Sequence, residues 1–235
     1  KCGFTPLCVI ATIGTTSTTA VDPVKSIGEI CQKYNIWYHV DAAYSGTAMV
    51  IEEMRWMIEG LELADTYVFN PHKWMFTNFD CSAYFVKDES ALIKTFEILP
   101  EYLKTNEKSQ VKNYRDWGIQ LGRRFRALKL WFVIRSYGVD GIKDKVRLHL
   151  ILAKEIEEKI NQHDEFELLI KRSMTLLCFR YNPKKTLTEE KLNELNQNLM
   201  EKLNRTGKLF LTHTKVNGRF MLRLVIGQTY VEKRH

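Results

Sequence analysis

Three short apolar runs, each followed by polar residues and separated by helical spacing, constrain the fold of this chain more than any other feature. Residues 7–12 form a near-continuous apolar run between Pro6 and Gly14, the pattern of a parallel strand covered on both faces. Residues 36–40 form a second run. Residues 65–69 form a third, rich in β-branched and aromatic side chains and stopped by Pro71, which cannot continue a ladder. Between the first two runs, Asp22-Pro23 opens a helix with an N-cap acceptor and a proline at the first helical position. Val24, Ile27, Ile30 and Cys31 give that helix its apolar stripe, and it ends near Tyr34-Asn35. A short helix is expected around residues 53–58 and a further strand at 81–86. Strand, helix, strand, helix, strand is the order of a parallel α/β sheet.

Ligands of such sheets bind beyond the carboxyl ends of the strands. There the sequence places Thr15 and Thr16 after the first strand, Asp41 after the second, and Asn70, His72 and Lys73 after the third. Lys73, wedged between Pro71-His72 and Trp74, is in an unusual place for a solvated cation. An amine able to form an imine, a nearby acid and hydroxyls able to hold an anion are the parts of a pyridoxal 5'-phosphate (PLP) site. In such a site Lys73 would carry the cofactor as a Schiff base and Asp41 would keep the pyridine nitrogen protonated. Ala42 and Ala43 are small enough to let a flat ring lie close to the strand end.

The rest of the chain supports this placement without adding a second site. Residues 88–96 read as a helix, 99–113 as a mobile polar loop, and 121–137 and 139–161 as two helices divided at Gly138. The tail alternates strands at 167–170, 176–181, 209–213 and 220–226 with a helix at 188–204 that has Thr188 as N-cap and Gly207 as stop. The net charge of +7 lies wholly beyond residue 100, spread over helical faces and mixed with Glu, as in solvated helices; no nucleic-acid partner is expected. Five scattered cysteines among apolar residues read as buried free thiols. His149, His163, His213 and His235 lack metal-ligand spacing, so no metal is expected. No apolar run approaches the roughly 18 residues of a membrane span, and no signal peptide is apparent, so a cytoplasmic protein without membrane contact is the expectation.

Four motifs carry a family resemblance: His39-Val40-Asp41-Ala42-Ala43-Tyr44-Ser45-Gly46, Asn70-Pro71-His72-Lys73-Trp74, Asn78-Phe79-Asp80-Cys81-Ser82-Ala83 and Leu121-Gly122-Arg123-Arg124-Phe125-Arg126. Together they resemble the group II PLP-dependent decarboxylases, and within that group the aromatic L-amino acid decarboxylases. The resemblance implies a fold-type I α/β architecture, a mostly parallel sheet with helices on both faces. Residues 1–130 would be the second half of the PLP-binding large domain and 131–235 a small α+β C-terminal domain. It further implies that Lys73 is the Schiff-base lysine and Asp41 the pyridinium partner, with Ala43 against the ring. Thr16, His39, Asn70 and His72 would line the cofactor, Asn70 and His72 near its phosphate. Tyr102 matches the family's loop tyrosine, thought to return a proton to the α-carbon in a neighbouring subunit's site, and therefore implies a homodimer with shared sites. Phe at that position goes with oxidative aldehyde formation, so Tyr102 favours an amine product; Gly122 resembles the aromatic enzymes rather than the histidine-specific ones. Arg123, Arg124 and Arg126 read equally as a phosphate clamp or as ion-paired structural residues. The family chain is much longer, and its N-terminal half supplies further cofactor and substrate contacts. This sequence is thus expected to be a piece of a longer chain, inactive alone. Other PLP chemistry, such as aldehyde synthesis or a different amino acid substrate, and a non-catalytic fragment are the alternatives.

Overall fold

A computed structural model describes residues 3–97, 112–183 and 186–235. Strands β1 (Cys8–Thr12), β2 (Trp37–Asp41), β3 (Thr66–Phe69) and β4 (Ala83–Val86) form one sheet in that order. The first two pairings are parallel, with Thr12 opposite Asp41 and Asp41 opposite Val68, and β4 runs antiparallel to β3. The three parallel strands therefore end at a common edge, where their apolar runs give way to polar residues.

Alternation along β2 separates the two faces of this sheet. Tyr38 and Val40 are buried against helix α1 (Val24–Tyr34) and a run of 3₁₀ turns, whereas Trp37 lies on the opposite, open face, together with Ile10, 62% exposed, and Tyr84. The sequence pattern of a strand covered on both faces is thus met on one face within these residues. Helix α1 starts one residue later than its cap signal suggested. Pro23 occupies the N-cap, and the Asp22 carboxylate accepts instead from the Thr12 N–H at 2.8 Å, tying the helix entry to β1. Asn35, at φ 52°, ends the helix in the left-handed conformation.

After the four-residue helix α2 (Pro71–Trp74) and helix α3 (Glu89–Phe96), the expected helix from residue 121 begins only at Arg126. Helix α4 (Arg126–Asn161) is broken at Gly138, whose φ of 66° and ψ of 174° end one helical segment and start the next. The four motif residues before Phe125 are irregular, and Arg126 pairs with Asp80 at 3.1 Å, the structural alternative for that arginine.

The second sheet is antiparallel, ordered β5 (Phe166–Leu168), β6 (Leu176–Tyr181), β8 (Arg219–Val225), β7 (Thr212–Val216), with helix α5 (Glu189–Arg205) packed on it. Here β7 starts at Thr212 rather than 209, because the Asn204 side chain bonds both the N–H and the carbonyl of Leu211 and takes the place of a ladder partner. Cys31, Cys81 and Cys178 are buried free thiols as expected, but Cys8 is exposed at the edge strand β1, and Cys2 lies outside the described residues. No described helix is long and apolar enough to cross a membrane.

Candidate active site

A cavity of about 210 Å³ opens at the carboxyl edge of β1 and β2, against the second sheet. Thr12, Thr16, Asp41, Ala43, Tyr44, Lys73 and Arg223 contribute to its wall. The three regions singled out by the sequence therefore meet in one space, and each is placed by its own local structure.

Beyond β1 the chain turns at Gly14, and the Thr15 hydroxyl accepts the Ala20 N–H at 3.0 Å, closing a turn that presents Thr16 to solvent. Asp41 ends β2. Its Oδ1 accepts the Ala43 N–H at 2.9 Å, an Asx-type turn that orients the carboxylate beside the alanine. The turn continues into Ser45, whose hydroxyl donates to the Ile13 carbonyl, and Gly46, where an added Cβ would lie 2.3 Å from that of Phe69. Only glycine lets this segment pass so close to β3.

Lys73 sits in α2, tied to the Asp41 turn through the Asn70 N–H, which donates to the Ala43 carbonyl at 3.0 Å. Its side chain is exposed to the cavity, while the next residue, Trp74, is fully buried. Tyr44 stacks on that indole with centroids 4.9 Å apart and planes 7° from parallel, and its hydroxyl hydrogen-bonds the Thr175 hydroxyl. Burial pushes the Tyr44 phenol up to about 12, so it stays protonated.

Sequence reasoning missed Arg223, which comes from β8. Its guanidinium donates to the carbonyls of Thr16 (2.6 Å) and Ser17 (3.0 Å) and to the Thr212 hydroxyl (2.9 Å). All three partners are neutral, and no ion pair among the described residues includes it, so it brings a positive charge to the cavity wall. No local signal could have found it: one arginine in an alternating strand looks like any solvated strand residue.

The remaining expected residues lie outside the cavity wall. His39 faces the open side of the sheet, with Nδ1 2.8 Å from the Thr66 hydroxyl and its ring over Tyr84; burial lowers its pKa, against an opposing pull from Asp41. Asn70 accepts from the Ser82 hydroxyl at 2.6 Å. His72 has Nδ1 2.7 Å from the Cys81 carbonyl and 3.0 Å from the Cys81 N–H, one of which it engages according to its tautomer. Tyr102 lies outside the described residues.

The relatives of this chain share this architecture. It is 43% identical to "Tryptophan decarboxylase TDC1" of Camptotheca acuminata over 99% of its own length and 47% of the relative's. It is 45% identical to "Phenylacetaldehyde synthase" of Arabidopsis thaliana over all of its length and 48% of the relative's. Among solved structures, that of Oryza sativa TDC with PLP and tryptamine superposes with a TM-score of 0.94 at 40% identity, over 99% of this chain and 48% of that one. The chain therefore spans about half the length of the curated relatives it matches.

The residues present suit PLP chemically. Lys73 offers an amine, Asp41 keeps one carboxylate oxygen clear of its own turn, Ala43 leaves room for a flat ring, and Thr16 with Arg223 supplies a hydroxyl and a positive charge for an anion. Residues 1–182 match the pyridoxal-dependent decarboxylase conserved domain, and the chain belongs to that family.

Proposed function

We propose that this chain carries the lysine-bearing part of an enzyme that decarboxylates an aromatic L-amino acid to the amine and carbon dioxide. The observation that carries the reading is the meeting of Lys73 and Asp41 in one cavity at the ends of adjoining parallel strands. When bound, PLP supplies an electron sink for the pair left on the α-carbon as carbon dioxide departs. Lys73 would hold the cofactor through its amine. Asp41 would hold a proton at the ring nitrogen, charge against charge, and so keep the sink open. Ala43 would leave room for the flat ring. Thr16 and Arg223 provide polar contacts for the anionic groups of cofactor and substrate. His39, Asn70 and His72 border the site from the sheet face and the start of α2, held by Thr66, Ser82 and Cys81. Tyr102 would return the proton to the α-carbon in the neighbouring subunit's site.

The open sheet face and the chain's span of about half its relatives support a further element of the proposal: the remaining half of the protein covers this face and completes the site, in a cytoplasmic homodimer. Alone, the chain is expected to be inactive. The similarity to an aldehyde synthase supports a second reading, oxidative release of an aldehyde, and Tyr102 favours the amine. Product analysis on the complete enzyme with tryptophan, tyrosine, dopa and phenylalanine separates the two. Amine and carbon dioxide without hydrogen peroxide are expected, and aldehyde with hydrogen peroxide would reject the proposal.

A further inference from the structure

Lys73 is the third residue of a four-residue helix, too short to hold its side chain in place by its own hydrogen bonds. Its fixed neighbour is Trp74. That indole has no exposed surface, stacks on the cavity residue Tyr44, and donates its Nε1–H to His149 Nδ1 at 2.9 Å. His149 projects from α4 and is 1% exposed.

An indole N–H can only donate, so Nδ1 must present its lone pair and the imidazole must be neutral, with its proton on Nε2. Burial and the nearby Lys145 ammonium lower the pKa of His149 to about 4, and a hydrogen bond to the Gln228 backbone opposes them. The ring therefore remains an acceptor at neutral pH. A histidine that only filled space would need no such partner: phenylalanine would pack equally well but would leave a buried N–H unsatisfied.

We propose that His149 is a positioning residue for Lys73: by accepting the Trp74 N–H it fixes α2 and hence the place of the amine in the cavity. The inference rests on the reading of Lys73 as the cofactor-bonding lysine. Because Trp74 is joined to Lys73 by the chain and to Tyr44 by the stack, one buried hydrogen bond orients two parts of the cavity wall.

The test measures cofactor attachment, not turnover. In the complete enzyme chain, PLP is titrated, fixed with borohydride, and the modified peptide quantified by mass spectrometry. His149→Phe and Trp74→Phe each remove one partner and keep an aromatic ring; His149→Asn sets an amide oxygen near the place of Nδ1. We expect the PLP concentration for half-maximal fixation at Lys73 to rise about tenfold or more in both phenylalanine variants. The double variant should be no worse than either, and His149→Asn should stay close to the parent. Half-saturation of His149→Phe at the parent's concentration overturns the inference. If His149→Phe does not fold, Trp74→Phe and His149→Asn decide it, and equal half-saturation in these two overturns it. Fixation that persists undiminished in Lys73→Ala would overturn the reading of Lys73 and this inference with it, whereas fixation that depends on Lys73 but is unchanged in His149→Phe overturns the inference alone.

Discussion

Asp41 spends one carboxylate oxygen on its own turn and keeps the other for the cavity, so its geometry and its chemistry are separately supplied. Asp41→Asn preserves the turn acceptor and removes the charge. In a complete enzyme carrying this chain, it is expected to lower kcat about 10²-fold or more while leaving the unfolding midpoint almost unchanged, since a preorganised charge is worth that much in such a site. A kinetic and urea-unfolding comparison of the two proteins checks both halves of the expectation. His149 makes a second residue-level prediction. Its folded pKa lies below the unfolded value, so the neutral ring contributes stability that is complete above about pH 6.5 and is lost as pH falls toward 4. The full effect is ~3 kcal/mol. Urea midpoints between pH 7 and 4 should fall more steeply for the parent than for His149→Asn. His149 shows the limit of reading residues singly. In sequence it is one histidine on a helix with no metal spacing, and its indole partner lies 75 positions away.

At the scale of elements, strand ends were the legible part. Apolar runs give way to Thr, Asp and Asn-Pro at the same edge because parallel strands bury their middles and expose their ends, and that switch is written locally. Boundaries set by distant side chains were not legible. Asp22 looked like a helix cap, and a competing donor on β1, the Thr12 N–H, took its carboxylate; Leu209 and Phe210 looked like strand, and Asn204 ended the ladder at Leu211. Asn196 is the fullest example of such a side chain. Entirely buried on α5, it bonds both the N–H and the carbonyl of Tyr181 and the carbonyl of Leu192, joining helix to sheet. Asn196→Leu should therefore destabilise by about 2–4 kcal/mol despite adding apolar bulk, because two Tyr181 backbone groups lose their partner. Chemical denaturation of the purified chain measures this.

For the molecule as a whole, the largest consequence lies in what these residues leave uncovered. Phe4 and Leu7 ahead of β1, Ile10 and Tyr84 on the first sheet, and Trp131 and Phe132 on α4 expose large apolar areas that a folded protein rarely leaves in water. The chain alone is expected to bind a hydrophobic dye strongly and to sediment above its monomer mass. Co-production with a segment corresponding to the other half of its relatives should abolish both. A dye-silent monomer would show that these surfaces need no cover. The family resemblance was legible because three of its four motifs fall at strand ends and on α2, whereas the open face was hidden: a strand covered by another part of the protein has the same apolar pattern as one covered by its own chain.

One cross-strand rung of the second sheet has consequences beyond that sheet. Cys178 and Thr212 both lie opposite Arg223, and Arg223 and Cys178 both donate to carbonyls of the turn after β1, where Ser173 holds Thr19 as well. The turn, closed by its own Thr15–Ala20 bonds, is thus also tied to the second sheet, and loss of the rung loosens it. In hydrogen exchange, the amides of residues 15–20 and of β8 should exchange as one cooperative unit, with Arg223→Lys, which cannot span the same acceptors, accelerating both together.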